Sequence, residues 1–187
     1  VGNRFERPLP TRLYVNGRRT DLAFDTNHEV RAVGHDRAGR VAANIVRLSL
    51  EPAMDQGSSY PVLTTKHGVI RLPIKGDQNY VTDISPVGDV LLVQAVSGGF
   101  GDWYEGVYQG HLFRRGKLIP LGPASYLSFR RDGSIVGTFM CDKDGRPANS
   151  LYTQDAFTWK RHFVWRSGKR FEKAIRPLSM YRNASKG

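Results

Sequence analysis

Apolar and polar positions alternate along most of this chain in short runs, cut by turn residues roughly every ten positions. Val, Ile, Tyr, Phe and Thr fill the runs, while Gly, Asp, Asn and Pro supply the breaks. A period of two between turn signals predicts strands joined as hairpins, not amphipathic helices. Four segments share one form, an apolar strand, a tight turn with glycine and a second apolar strand. They run from Leu13 to Leu22 around Gly17, Val62 to Leu72 around Gly68, Leu112 to Leu121 around Gly116, and Phe163 to Phe171 around Gly168. Three segments of a second form lie between them: Val33 to Val41 around Gly39, Ile84 to Val90 around Gly88, and Phe129 to Gly137 around Gly133. Glycine supplies the positive φ that tight hairpin turns require.

The two forms alternate strictly, with a period of about 49 residues. Two hairpins are four strands, and four strands in roughly 40–50 residues is the period of a propeller blade. The expectation is an all-β chain and one β-propeller domain over 1–187. Its repeats fall near 1–29, 30–79, 80–125 and 126–177, with a closing strand over 178–187. Residues 154–161, Gln154 to Arg161, read as a short helical turn. The chain enters in the second hairpin of a repeat, and Leu178-Ser179-Met180-Tyr181-Arg182-Asn183-Ala184 follows the form of Leu127 to Gly133 one repeat later. A strand there beside the first hairpin completes a fourth blade and removes exposed sheet edges. A fragment of a larger propeller is the alternative, and Val1 in place of Met suits a trimmed or excised chain.

The stretches Arg131-Asp132-Gly133-Ser134-Ile135-Val136-Gly137, Gly110-His111-Leu112-Phe113-Arg114-Arg115-Gly116-Lys117-Leu118-Ile119-Pro120-Leu121-Gly122 and His162-Phe163-Val164-Trp165-Arg166-Ser167-Gly168 resemble the extracellular HAF-type β-propeller repeat. The chain departs from that pattern at Thr64, where an aromatic is usual, and at Pro86 and Val87, where polar turn residues are usual. The resemblance implies a propeller fold and a secreted or periplasmic location. Without it, the lack of disulfides leans toward the cytoplasm, and Asn3, Arg4, Glu6 and Arg7 interrupt any signal-type apolar core.

Composition narrows the classes. Of 187 residues, 40% are hydrophobic and 24% charged, which excludes wholesale disorder. No apolar run reaches the ~18 residues of a membrane helix. The single Cys141 excludes an internal disulfide framework and a cysteine-based zinc site, and reads as a buried thiol. Phosphate-loop, zinc-protease and nucleophile-elbow motifs are missing. The five histidines are scattered and read as structural. Asp142-Lys143-Asp144-Gly145 opens like a calcium loop, yet Thr153 stands where the bidentate Glu belongs, so it reads as a turn. Asp25, Glu29, Asp83 and Asp102 are available for acid–base work, but their spacing selects no pair. No catalytic residue, metal or cofactor is assigned.

Two features rise above this background. Gly98 to Tyr108 is a glycine-rich excursion carrying Trp103, Tyr104 and Tyr108, candidates for stacking on a sugar or gripping a protein. Trp103 is expected to dock on the core and Tyr104 to face outward. The net charge of +11 concentrates in the C-terminal part, where Lys160, Arg161, Arg166, Lys169, Arg170 and Lys173 are candidates for polyanion binding. Trp159, Phe163, Trp165 and Phe171 interleave with them and are expected in the core. The leading expectation is a non-enzymatic module that binds a protein or glycan. The second is a basic propeller for nucleic acid or acidic polysaccharide, and the third an enzyme with a central-channel site.

Overall fold

The computed structural model describes residues 12–15, 18–21, 28–47, 58–66, 68–76, 78–97, 107–147, 159–174 and 176–177. Among them there is no helix; every regular element is an antiparallel strand. β1 (Arg12–Val15) and β2 (Arg18–Asp21) form a hairpin. β3 (His28–His35), β4 (Val41–Arg47), β5 (Ser59–Thr65) and β6 (Gly68–Arg71) make a first sheet in chain order. β7 (Asn79–Ile84), β8 (Val90–Ser97), β9 (Val107–Arg114) and β10 (Lys117–Pro123) make a second. β11 (Tyr126–Phe129), β12 (Ile135–Cys141), β13 (Trp159–Arg166) and β14 (Lys169–Glu172) make a third, and β15 (Arg176–Pro177) pairs with the start of β13.

Each sheet consists of one hairpin of each form. In the first hairpin of sheet one, the Asp36 amide donates to the Arg40 carbonyl at 3.0 Å and the Gly39 amide to the Asp36 carbonyl at 3.1 Å. The same two bonds recur in turns 85–89 and 130–134. Pro86 and Val87 therefore sit in the same turn as Arg37 and Ala38 do. The second hairpins of sheets two and three close on two residues, Arg115-Gly116 and Ser167-Gly168, with φ of 50° and 78° in each pair. Two positive φ values define the type I′ turn, whose twist matches that of the flanking strands. The Thr64 hydroxyl accepts the Val41 amide at 2.7 Å inside the first sheet.

The sheets stack face to face through apolar residues on alternate strand positions. Leu91, Val93 and Leu112 of sheet two meet Leu127, Ile135, Phe139, Cys141 and Phe163 of sheet three. Val81, Ile84, Val90 and Leu92, on the other face of sheet two, meet Ala42 and Leu63 of sheet one together with Leu72 and Ile74. The first strands lie side by side, β7 against β3 and β11 against β7. Turn 36–40 meets turn 85–89 through the Arg37 amide and the Pro86 carbonyl at 3.0 Å, while Ser59 bridges Gln78 at the opposite end. The stack thus has a short-turn end and a long-connection end, from which the links β4–β5, β8–β9 and β12–β13 depart.

Two expectations are corrected. Trp159 to Arg161 are strand, not helical turn, because they pair with Cys141, Met140 and Phe139 of β12; residues 154–158 lie outside the described residues. Phe171 is 56% exposed instead of buried. It pairs with Val164, so it lies on the face of sheet three opposite Phe163.

Candidate functional site

Trp103 and Tyr104 lie outside the described residues. Tyr108, the second residue of β9, is half-buried at the long-connection end and packs against the core between sheets two and three. Tyr80, the second residue of β7, sits near it. Burial pushes the Tyr80 hydroxyl up from its ordinary 10.0; Tyr108 adds to that rise, and the Arg31 guanidinium opposes it. Tyr108 is likewise raised by burial. Arg31 on β3 is held by a bidentate pair with Glu29, Nε to Oε1 at 3.0 Å and Nη2 to Oε2 at 2.8 Å. That hydrogen bonding holds the exposed Glu29 carboxyl below its usual range. Tyr80 and Tyr108 thus stand at the starts of β7 and β9, and Arg31 midway along β3 acts on Tyr80 through its charge. Neither Tyr80 nor Arg31 carries a local signal in the sequence, since their placement depends on how the strands pair.

The basic candidates separate into two kinds. Arg170 runs across the core, with its Cζ 3.7 Å from the Phe163 ring centroid. Its Nη1 donates to the carbonyls of Leu121 at 2.8 Å and Pro123 at 3.0 Å, and its Nε to Glu172 at 3.1 Å. Burial, the largest influence, lowers its pKa below the usual arginine range, and the Glu172 carboxylate counters. Arg161 donates to the other oxygen of Glu172 at 2.6 Å. Arg170 ties sheet three to sheet two, while Arg161 braces β13 against β14 within sheet three. Arg166, Lys169 and Lys173 are exposed, and Lys160 is half-exposed on the outer face of β13.

The remaining candidates have structural partners. The Asp83 carboxylate accepts from the Ser128 hydroxyl at 2.9 Å and the Phe129 amide at 2.8 Å, joining β7 to β11. Asp25 and Asp102 lie outside the described residues. His111 Nε2 meets Gln94 Oε1 at 3.0 Å, and burial lowers the ring pKa from 6.5. Cys141 is fully buried, and desolvation raises its thiol pKa. Asp142 to Arg146 forms a turn with the same two backbone bonds as the first hairpins. Among the described residues no His, Cys, Asp and Glu cluster could hold a metal ion, and no helix is long and apolar enough to cross a membrane. No family model, curated protein or solved structure matches this chain.

Proposed function

We propose that the three sheets are consecutive blades of a HAF-type β-propeller, and that the module binds a protein or glycan at its long-connection end. Two observations support the ring, with β1–β2 and residues 178–187 closing it. The first strand of each later sheet, β7 and β11, lies against the preceding sheet, including that sheet's first strand, an arrangement that consecutive blades share. The outer face of sheet three also repeats the apolar positions that its neighbours bury. Val136 and Val164 are paired across β12 and β13 as Leu91 and Leu112 are in sheet two, and Ala42 and Leu63 in sheet one. Those four are at most 2% exposed beneath the next sheet. Val136 and Val164 instead line a groove of about 440 Å³ with Tyr126, Thr138 and Lys173. A further blade would cover it.

The binding reading is supported by Tyr80 and Tyr108, half-buried at the starts of β7 and β9 on the long-connection end of sheet two, with the Arg31 charge acting on Tyr80. Tyr and Arg dominate interface hot spots, and tyrosine faces also stack on sugars. The test is a glycan array and a displayed-peptide selection, each run with the intact chain and with Arg31→Ser and Tyr80→Ser. A ligand held by the intact chain should bind tenfold or more weakly to either variant, about 1.4 kcal/mol or more, with melting unchanged for the exposed Arg31→Ser. Ligands that bind the variants as well as the intact chain would place the site elsewhere.

A further inference from the structure

We infer that the short-turn end of the stack is a second docking surface, and that its partner is a flexible acidic polysaccharide. The surface is independent of the tyrosine site, which lies at the opposite end. Its charge comes from hairpin turns of all three sheets. Sheet one contributes Arg37 from its first turn and Lys66 from its second. Sheet two contributes Arg115 and Lys117 at the turn between β9 and β10. Sheet three contributes Arg130 and Arg131 at one turn, and Arg166 and Lys169 at the other. All of these are exposed, and none is in an ion pair among the described residues.

Two of the acidic groups at this end are paired with arginines, and the third, the exposed Asp132, is outnumbered by the basic residues around it. Asp36 is buried against Arg40 at 2.6 Å, and Asp89 pairs with Arg114 at 2.8 Å. Asp132 accepts from the Ser134 hydroxyl at 2.6 Å and amide at 3.0 Å. Arg166 and Arg130 both act on Asp132, so the two turns of sheet three form one electrostatic neighbourhood. The field at this end is therefore positive, and it arises from residues separated by most of the chain.

The arrangement favours one kind of polyanion. The basic residues stand on separate turns, at 37, 130 and 131 in first hairpins and at 66, 115, 117, 166 and 169 in second hairpins. A flexible chain adapts to charges carried on separate turns more readily than a straight duplex does. Turns 36–40, 85–89, 115–116, 130–134 and 167–168 carry no aromatic residue. Single-stranded nucleic acid therefore finds no stacking platform there, a contact worth ~1–3 kcal/mol per base where it exists. Guanidinium and ammonium groups on short, stiff turns suit the sulfates and carboxylates of a polysaccharide.

The test uses heparin as the sulfated probe and two triple variants with the same change in net charge. One is Lys117→Glu, Arg131→Glu and Lys169→Glu at the short-turn end. The other is Lys75→Glu, Lys143→Glu and Lys173→Glu at the long-connection end. Near 100 mM salt the first should bind heparin at least tenfold more weakly and flatten the dependence of log K on log salt by about two, through lost counterion release. The second should weaken binding less than threefold. Circular dichroism and melting report whether each variant folds; Gln at the same positions replaces any variant that does not. Equal loss in both variants, no heparin binding by the intact chain, or tighter binding of single-stranded or duplex DNA than of heparin would each overturn the proposal.

Discussion

Gly137 shows how tightly single positions are set. It stands in β12 beneath the ring of Phe163, its partner on β13. A methyl group on Gly137 would lie 2.2 Å from Phe163 Cζ and 2.9 Å from Leu127 Cδ2. Phe163 is 1% exposed, and Arg170 lies 3.7 Å from the centre of its ring, so the ring has little space to retreat. Gly137→Ala should cost about 1–3 kcal/mol through overpacking, measured by urea denaturation. An unchanged midpoint would mean that the ring has room to shift. The sequence marks Gly137 as part of a hairpin form, but not as the seat of an aromatic from the next hairpin. That contact depends on the register between β12 and β13.

At the scale of elements, the recurring problem is the free edge of each first strand, whose backbone groups need partners once buried. The preceding sheet supplies them with side chains. Asn44 of β4 donates from Nδ2 to the Val81 carbonyl at 3.1 Å and accepts the Val81 amide at 2.6 Å. For β11, the Asp83 carboxylate accepts the Phe129 amide and the Ser128 hydroxyl. Asn44 and Val81 are 8% and 3% exposed, so water does not substitute. Asn44→Leu should leave both backbone groups of Val81 unsatisfied and cost about 3 kcal/mol, with faster hydrogen exchange at the Val81 amide. A wild-type exchange rate there would refute the clamp. In the string Val41-Ala42-Ala43-Asn44-Ile45, Asn44 is only a polar break in an apolar run. Its purpose is set by a strand in another sheet.

At the scale of the molecule, the outer face of sheet three is the feature that a closed ring explains. Under the proposed closure, Val164 packs against a further blade. Val164→Asp should then cost about 2–3 kcal/mol, against ±0.5 kcal/mol for a surface position. Thermal or urea denaturation of the chain measures the difference. A midpoint equal to that of the wild type would leave the face open to solvent and the ring unclosed. Charge also redistributes at this scale. The C-terminal concentration of Lys and Arg divides into two guanidiniums locked on Glu172, Arg166 and Lys169 beside the turn at the short-turn end, and Lys160 and Lys173 toward the other end.

The hairpins were legible from the chain alone because their causes are local. A glycine that accepts φ near 78°, flanked by alternating apolar residues, specifies a turn and its two strands within about ten positions. The all-β class and the division into sheets follow from repeating that local event. The directions of individual side chains do not. Lys169 and Arg170 are adjacent, yet one faces solvent, while the other reaches carbonyls at Leu121 and Pro123 in another sheet. Tyr80 and Tyr108 come to one end of sheet two only because β7 and β9 both start there. Alternation says that two neighbours point opposite ways; only the packing of the next sheet decides which of them is buried.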